Sequence, residues 1–195
     1  MAAAKKRLTR EAQAFFWLLY YVGCRKSELY ERTVGDCQVT KTHFILDVFR
    51  KKGSAQVDPI EIPLWFPGMD VVCEQLERSR KRKSIRKLIE RWDHGKRITS
   101  RVKAKWLFPH VASRWAQHIV KEVLGSKYYP HFLRLNRITE ICSDPTANLT
   151  RIKSFSGIKS TRIIEENYMG VSKKEQRAAV DFMAKQIKEN TEKGS

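Results

Sequence analysis

A histidine and an arginine, His131 and Arg134, lie three residues apart behind Pro130 in the sequence Tyr129-Pro-His-Phe-Leu-Arg-Leu-Asn-Arg-Ile-Thr-Glu. Proline favours the first turn of a helix, so this stretch predicts a helix that begins at the proline. Residues at i and i+3 then share one helix face. An imidazole that exchanges protons would lie beside a guanidinium that grips phosphate with two hydrogen bonds. The pair suits phosphoryl chemistry, although an ordinary amphipathic helix can carry both residues on its wet side.

A second arginine, Arg25, follows an apolar stretch that predicts a helix closed by Gly23. A further helix is expected directly after it, with Ser27 as the capping residue. An arginine set between two core helices would be held rigidly, and Glu28 is placed to pair with it. The alternative is a solvent-facing loop arginine whose surface pair contributes well under about 1 kcal/mol.

Downstream, Tyr168 in Glu-Asn-Tyr-Met-Gly is the only tyrosine after the His131 helix. The order Arg, then His-x-x-Arg, then Tyr resembles the tyrosine recombinase family, and within it the phage-type integrases, including those of archaeal viruses and plasmids. The strongest signature is the family's G-x-R-x-S-E turn, matched by Gly-Cys-Arg-Lys-Ser-Glu at residues 23–28. The resemblance runs from about Leu8 to Ser172, in the family's order and approximate spacing.

The resemblance implies six catalytic residues: Arg25, Lys52, His131, Arg134, Lys159 and Tyr168. Glu28 would be the acidic residue that helps to orient the histidine. In the family a hairpin delivers the catalytic lysine; Lys52 fits its K-G step best, and Lys51 is the alternative. Lys159 stands nine residues before Tyr168, where many family members have His or Trp, so this sequence departs from the family there.

The implied reaction is attack by Tyr168 on DNA phosphorus, giving a 3′-phosphotyrosine and a free 5′-hydroxyl. Arginines stay charged at any working pH and can stabilise the transition state, so no metal is expected. The covalent intermediate would store the energy of the broken bond, so neither ATP nor another cofactor is expected. A type IB topoisomerase would share this chemistry. A noncatalytic basic nucleic-acid-binding module, whose His, Arg and Tyr are ordinary surface residues, is the alternative from a different class.

The expected fold is mostly α-helical with a small antiparallel β-hairpin or sheet, an α+β catalytic domain of the tyrosine recombinase type. Strands are predicted at 43–49 and 57–62, because both runs are rich in β-branched and aromatic residues and flank a basic, glycine-containing turn. Helices are predicted at 8–22, opening at Thr9, and at 69–91, 112–124, 149–158 and 173–189.

Residues 78–105 are rich in Lys and Arg and resemble an insertion into the compact family pattern. Such a block favours sequence-independent contact with DNA phosphates, and the alternative is a solvated disordered loop. The candidate DNA-binding residues are Arg80, Lys81, Arg82, Lys83, Arg86 and Lys87.

The 195 residues carry 39 Lys and Arg against 21 Asp and Glu, a formal net charge of +18. This excess costs self-repulsion that a polyanion offsets, so double-stranded DNA is the expected partner. The resemblance implies a homotetramer on DNA from a protein that is monomeric when free. The C-terminal segment 173–195 would link the protomers by exchange, and the alternative is that its helix packs on its own domain.

The whole chain, 1–195, is expected to form a single catalytic domain without the family's N-terminal DNA-clamping domain. Four scattered cysteines, Cys24, Cys37, Cys73 and Cys142, lack paired C-x-x-C spacing and are expected to be free thiols rather than zinc ligands. No apolar run approaches the roughly 20 residues of a membrane span, and no signal peptide is visible. An intracellular, and in a prokaryote nucleoid-associated, location is expected.

Overall fold

A computed structural model describes residues 8–49, 57–93, 96–111, 113–144, 146, 148–156, 158 and 160–166. Its α-helices are α1 (Arg10–Val22), α2 (Lys26–Tyr30), α3 (Met69–Lys81), α4 (Ala116–Leu124), α5 (Pro130–Ser143), α6 (Leu149–Ser156) and α7 (Thr161–Ile164). Its strands are β1 (Cys37–Val39), β2 (His43–Phe49), β3 (Val57–Pro63), β4 (Ile85–Asp93) and β5 (Lys96–Ala104). Short 3-10 turns occupy Val34–Asp36 and Ser113–Trp115. The prediction of a mostly helical chain with small antiparallel sheets is confirmed.

The chain divides into two compact units, Met1–Arg137 and Ile138–Ser195. The first holds both sheets and α1 to α4. The second has its own buried apolar side chains on α5, α6 and α7, namely Ile138, Cys142, Ile152 and Ile164.

Helix α1 is the centre of the first unit. Thr9 begins it as predicted, because its side-chain oxygen accepts a 3.2 Å hydrogen bond from the Ala12 amide. Ten of its side chains are buried, since it is apolar nearly all round, and it packs against α2, α3 and α4. Gly23 ends it in the left-handed region, at φ 58° and ψ 21°, a conformation that glycine adopts without steric cost.

Strands β1, β2 and β3 form an antiparallel sheet in that order. On β2, Phe44, Leu46 and Val48 are fully buried and alternate with less buried residues, so one face of the sheet covers the core. The predicted hairpin between residues 43–49 and 57–62 is confirmed by the pairing of Phe44 with Ile62. Its basic tip, residues 50–56, lies outside the described residues.

The predicted helix over residues 69–91 is wrong in its second half. Helix α3 ends at Lys81, Arg82 is extended, and β4 pairs antiparallel with β5 in a two-stranded ribbon (residues 85–93 and 96–104). Side-chain exposure alternates there with a period of two: Lys87 and Ile89 are buried, whereas Leu88 is exposed. The alternative of a disordered loop is wrong for residues 85–93 and 96–104, because β4 and β5 are paired and satisfy each other's backbone hydrogen bonds.

The segment Trp106–Val111 after the ribbon is largely buried, and polar side chains from α1 and α3 satisfy its backbone groups. Gln75 and Ser79 each donate a 2.9 Å hydrogen bond to the Leu107 carbonyl. One carboxylate oxygen of Glu11 accepts from the amides of His110 and Val111 at 2.6 and 2.8 Å. Buried backbone groups need such partners, so these contacts fix how the segment lies between the two helices.

Lys87 is the one predicted DNA-binding residue that the structure contradicts. Only 7% exposed, it donates to the Phe108 carbonyl and, at 3.4 Å, to the Tyr30 carbonyl. Its ammonium also lies 3.9 Å from the centroid of the Tyr30 ring. Successive side chains of a strand point to opposite faces, so Lys87 points inward and Arg86 points outward. The predicted helix did not imply this alternation.

Burial lowers the pKa of Lys87 to about 8, and the nearby carboxylates Glu11 and Glu31 only partly oppose this shift. Between pH 8 and 10.5 the unfolded chain therefore keeps a proton that the folded chain has released. This group makes the free energy of unfolding rise with pH across that window, by up to about 3 kcal/mol, and contributes no slope below it.

We predict that Lys87→Met will flatten the pH dependence of stability between pH 8 and 10.5, because the titrating ammonium is gone. Urea unfolding at pH 7.5 and pH 10 measures the change. The control is Lys41→Met, at an exposed position in the turn before β2. If Lys87→Met and the parent protein gain equal stability between the two pH values, the claim that burial lowers the pKa of Lys87 is refuted.

Candidate active site

The turn between α1 and α2 holds Arg25 through the side chain of Glu28. Arg25 is the N-cap of α2, and its backbone amide donates a 2.9 Å hydrogen bond to the Glu28 carboxylate. The predicted Ser27 cap is wrong, because the chain is already helical at Lys26 and Glu28, in the N3 position, satisfies the free amide instead.

The same carboxylate also binds the Arg25 guanidinium. Its second oxygen accepts a 2.8 Å hydrogen bond from Nη1 of Arg25, which confirms the predicted pair. Glu28 is 0% exposed, whereas the Arg25 side chain is 34% exposed. The weak surface pair considered as an alternative therefore does not describe this contact, since removing the partner of a buried carboxylate costs far more than removing that of an exposed one. Glu28 therefore holds Arg25 at its backbone amide and at Nη1, and the arginine side chain is still partly exposed to solvent.

Helix α5 supplies His131 and Arg134, and it begins at Pro130 as predicted. His131 is exposed, whereas Arg134 is 4% exposed and its Nη1 donates a 2.8 Å hydrogen bond to the Gly23 carbonyl. Gly23 is the residue that ends α1, so Arg134 joins α5 to the turn that carries Arg25. This contact therefore holds the buried guanidinium against the end of α1 through one of its N–H donors.

Arg25, His131 and Arg134 line one cleft of about 470 Å³. Its other lining residues are Cys24, Lys26, Ser27, Gln117, Tyr129 and Pro130. Among the described residues, the lining contains three cationic side chains and a histidine but no carboxylate, so this part of the cleft favours an anion. An imidazole can exchange protons and a guanidinium can bind phosphate with two hydrogen bonds, so the residue types in the cleft suit a phosphate ligand.

Four polar lining residues, Lys26, Ser27, Gln117 and Tyr129, were not among the predicted site residues. Lys26 and Tyr129 adjoin Arg25 and Pro130 in the sequence, so proximity to those motifs could have suggested them. Gln117 lies on α4 and has no signal in the sequence, because only the packing of α4 brings it to the cleft.

Four predicted site residues, Lys51, Lys52, Lys159 and Tyr168, lie outside the described residues, as does the tail 173–195. Their roles stay predictions, and so does the role of Glu28 in orienting His131.

The remaining candidate DNA-binding residues lie at the end of α3 and on β4. Arg80 pairs with Glu77 at 2.6 Å, and Arg82 lies 3.8 Å from Glu11. Lys81, Lys83 and Arg86 are exposed. Their contact with DNA stays a prediction.

All four cysteines are free, as predicted, and three are buried. Burial raises the pKa of the Cys37, Cys73 and Cys142 thiols. Among the described residues, no three His, Cys, Asp or Glu side chains cluster so as to hold a metal ion. Within the same part of the chain, the helices are too short or too polar to cross a bilayer.

Solved structures of recombinases share this fold. The structure described as XerH site-specific recombinase bound to palindromic difH substrate, a post-cleavage complex, superposes with a TM-score of 0.67 and 12% identity over 94% of this chain and 50% of that one. XerA recombinase gives 0.52 and 16% identity over 82% and 56%. This chain thus spans about half the length of either protein. No family model and no curated protein matches the sequence. The predicted tyrosine recombinase catalytic-domain fold is confirmed.

We predict that Glu28→Gln will lower the free energy of unfolding by about 1–3 kcal/mol, because the amide nitrogen would face a guanidinium or backbone donor inside the protein. Denaturant unfolding measures the decrease. The control Glu61→Gln makes the same change at an exposed position and should stay within about 0.5 kcal/mol of the parent. Equal effects of the two substitutions would show that the buried carboxylate does not hold this turn.

Proposed function

We propose that the protein is a site-specific DNA recombinase or integrase that cleaves and rejoins DNA through a 3′-phosphotyrosine intermediate. The observation that carries the proposal is the cleft in which Arg25, His131 and Arg134 meet. The recombinase fold of the similar solved structures supports it, and Arg25, His131 and Arg134 follow the order and spacing of the family's motif.

In this proposal the two arginines stabilise the charge that develops on the nonbridging phosphate oxygens. Arg25 is anchored on the Glu28 carboxylate and Arg134 on the Gly23 carbonyl, each through Nη1, and a guanidinium has five N–H donors in all. Such preorganised donors cost little reorganisation when the reaction occurs. His131, which is exposed in the cleft, exchanges the tyrosine proton.

Residues outside the described ranges complete the proposed chemistry. Tyr168 attacks phosphorus and stores the energy of the phosphodiester bond in the covalent intermediate, so that rejoining needs no separate energy source. Lys52, or Lys51 beside it, protonates the departing 5′-oxygen. Lys159 takes the position where the family often has His or Trp.

Double-stranded DNA is the proposed substrate and partner. The formal charge of +18 and the lining of the cleft, in which the described residues include no carboxylate, favour a polyanion; XerH is described as bound to a palindromic difH substrate after cleavage. Recombination joins two duplexes and requires four protomers, so we propose a homotetramer on DNA, linked by exchange of residues 173–195.

Trapping a covalent adduct tests the proposal. The protein is mixed with nicked suicide duplexes whose flanking sequence is randomised, the products are resolved in SDS, and the attached DNA is sequenced. An SDS-resistant adduct with an enriched sequence supports a site-specific enzyme. Relaxation of supercoiled plasmid without strand exchange between two duplexes would favour a type IB topoisomerase, whereas DNA binding with no adduct at any sequence would favour a noncatalytic module.

Tyr168→Phe should abolish the adduct and leave DNA binding nearly unchanged, because only the nucleophilic oxygen is removed. Gel analysis in SDS and equilibrium binding to the same duplex measure the two effects. Tyr128→Phe and Tyr129→Phe serve as matched controls and should keep the adduct. An adduct that survives in Tyr168→Phe and disappears in Tyr129→Phe would move the nucleophile to the tyrosine that lines the cleft.

Arg25→Ala and Arg134→Ala should each slow single-turnover cleavage by about 10²-fold or more, the scale for removal of a preorganised donor. Arg25→Lys should recover only part of the rate, because it restores the positive charge but not the planar pair of N–H donors of a guanidinium. Lys41→Ala removes a cation outside the cleft and is the control. Since Arg134 is buried, thermal melting must show that its variant is folded; a folded variant that cleaves at the parental rate would exclude that arginine from the reaction.

A further inference from the structure

The outer face of the ribbon carries a compact group of exposed cations. Arg86 lies opposite Lys103, and Leu88 lies opposite Arg101, so these four residues are neighbours on one face of the paired strands. All four are exposed, Leu88 to 55%. The side chains of Lys87 and Ile89, on the opposite face of the ribbon, are buried within the first unit.

These cations differ from the arginines at and just beyond the end of α3. Arg78, Arg80 and Arg82 lie within 2.5 to 3.8 Å of Glu74, Glu77 and Glu11 respectively. By contrast, among the described side chains Arg86, Arg101 and Lys103 have no acidic partner within ion-pair distance. Like charges directly opposite each other on paired strands destabilise a sheet, so the pairing of Arg86 with Lys103 costs free energy in the free protein. A bound polyanion would remove that cost.

The ribbon is firmly attached to the unit that contains the cleft. Lys87 binds the Tyr30 carbonyl at the end of α2, and the Trp106 indole donates a 2.9 Å hydrogen bond to the Ile85 carbonyl at the start of the ribbon. Helix α2 is the element that begins beside Arg25. A duplex held by the outer face would therefore be held at a fixed position relative to the first unit.

We infer that the outer face of the ribbon binds the phosphates of duplex DNA through Arg86, Arg101 and Lys103, with Leu88 packed against the sugars between them. The inference rests on the proposed function for the identity of the nucleic acid. The major groove of B-form DNA admits a two-stranded ribbon, whereas the deep, narrow major groove of duplex RNA does not, so DNA is favoured over RNA. Phosphate contacts do not read the base sequence. We therefore expect this surface to increase the affinity for DNA and to position the duplex, without selecting a DNA sequence.

The test is the salt dependence of DNA binding by the combined variant Arg86→Gln, Arg101→Gln and Lys103→Gln. Binding is measured with the full chain carrying Tyr168→Phe, so that covalent capture does not distort the equilibrium. The slope of log K against log salt should flatten by about 0.9 for each phosphate that the variant no longer neutralises, and affinity should fall alike for unrelated duplex sequences. Melting of the free variant should be unchanged or higher, because the repulsion across the strands is relieved.

The control variant Lys41→Gln, Arg114→Gln and Lys121→Gln removes the same charge at exposed positions outside the ribbon. If both variants flatten the slope equally, binding is diffuse and the inference is overturned. An unchanged slope in the ribbon variant overturns it as well. Competition by duplex RNA as strong as that by duplex DNA would reassign the surface to RNA.

The failures of the two proposals can be told apart. Absence of a covalent adduct in the parent protein counts against the recombinase chemistry and leaves the salt slope measurable. An unchanged slope in the ribbon variant of a protein whose parent does form the adduct counts against the ribbon alone.

Discussion

The buried carboxylate of Glu28 is the constraint on which the site depends. One oxygen satisfies the backbone amide of Arg25 and the other binds its guanidinium, so a single side chain fixes both the start of α2 and the direction of the arginine. Arg134 reaches the same turn from α5 through the Gly23 carbonyl. Two cations that repel each other can share one cleft because their anchors belong to the rigid turn between α1 and α2.

A second set of polar contacts holds the framework around that turn. Glu11, Gln75 and Ser79 satisfy backbone groups of the segment Trp106–Val111, and Lys87 adds the Phe108 and Tyr30 carbonyls. Buried polar groups are costly unless paired, so these contacts favour one arrangement over other apolar packings of similar area. The cations also differ in burial. Lys87 and Arg134 are buried and donate to backbone carbonyls, whereas Arg86, Arg101 and Lys103 on the ribbon are exposed to solvent.

Much of the fold could be predicted from local patterns. Thr9, Gly23 and Pro130 mark helix ends through their own backbone preferences. The β-branched and aromatic residues of β2 and β3, on either side of a glycine-containing turn, identified the hairpin. The pattern failed at residues 82–91, where basic residues gave no clear apolar period. There the deciding partner is β5, and a hydrogen bond to a residue further along the chain leaves no mark on local periodicity. For the same reason, local periodicity gave no sign that Lys87, one of the candidate DNA-binding residues, is buried.

The sequence by itself determined the residue types and order of the site, because the Gly-x-Arg-x-Ser-Glu turn and the His-x-x-Arg spacing are local features that a helix converts into shared faces. It also determined the large positive charge. Tertiary structure alone decided that Arg25, His131 and Arg134 line one cleft, that Gln117 joins them, and that Lys87 is buried. Those outcomes depend on packing between elements far apart in the sequence. The bond from Arg134 to Gly23 joins residues 111 positions apart, and no local spacing encodes such a contact.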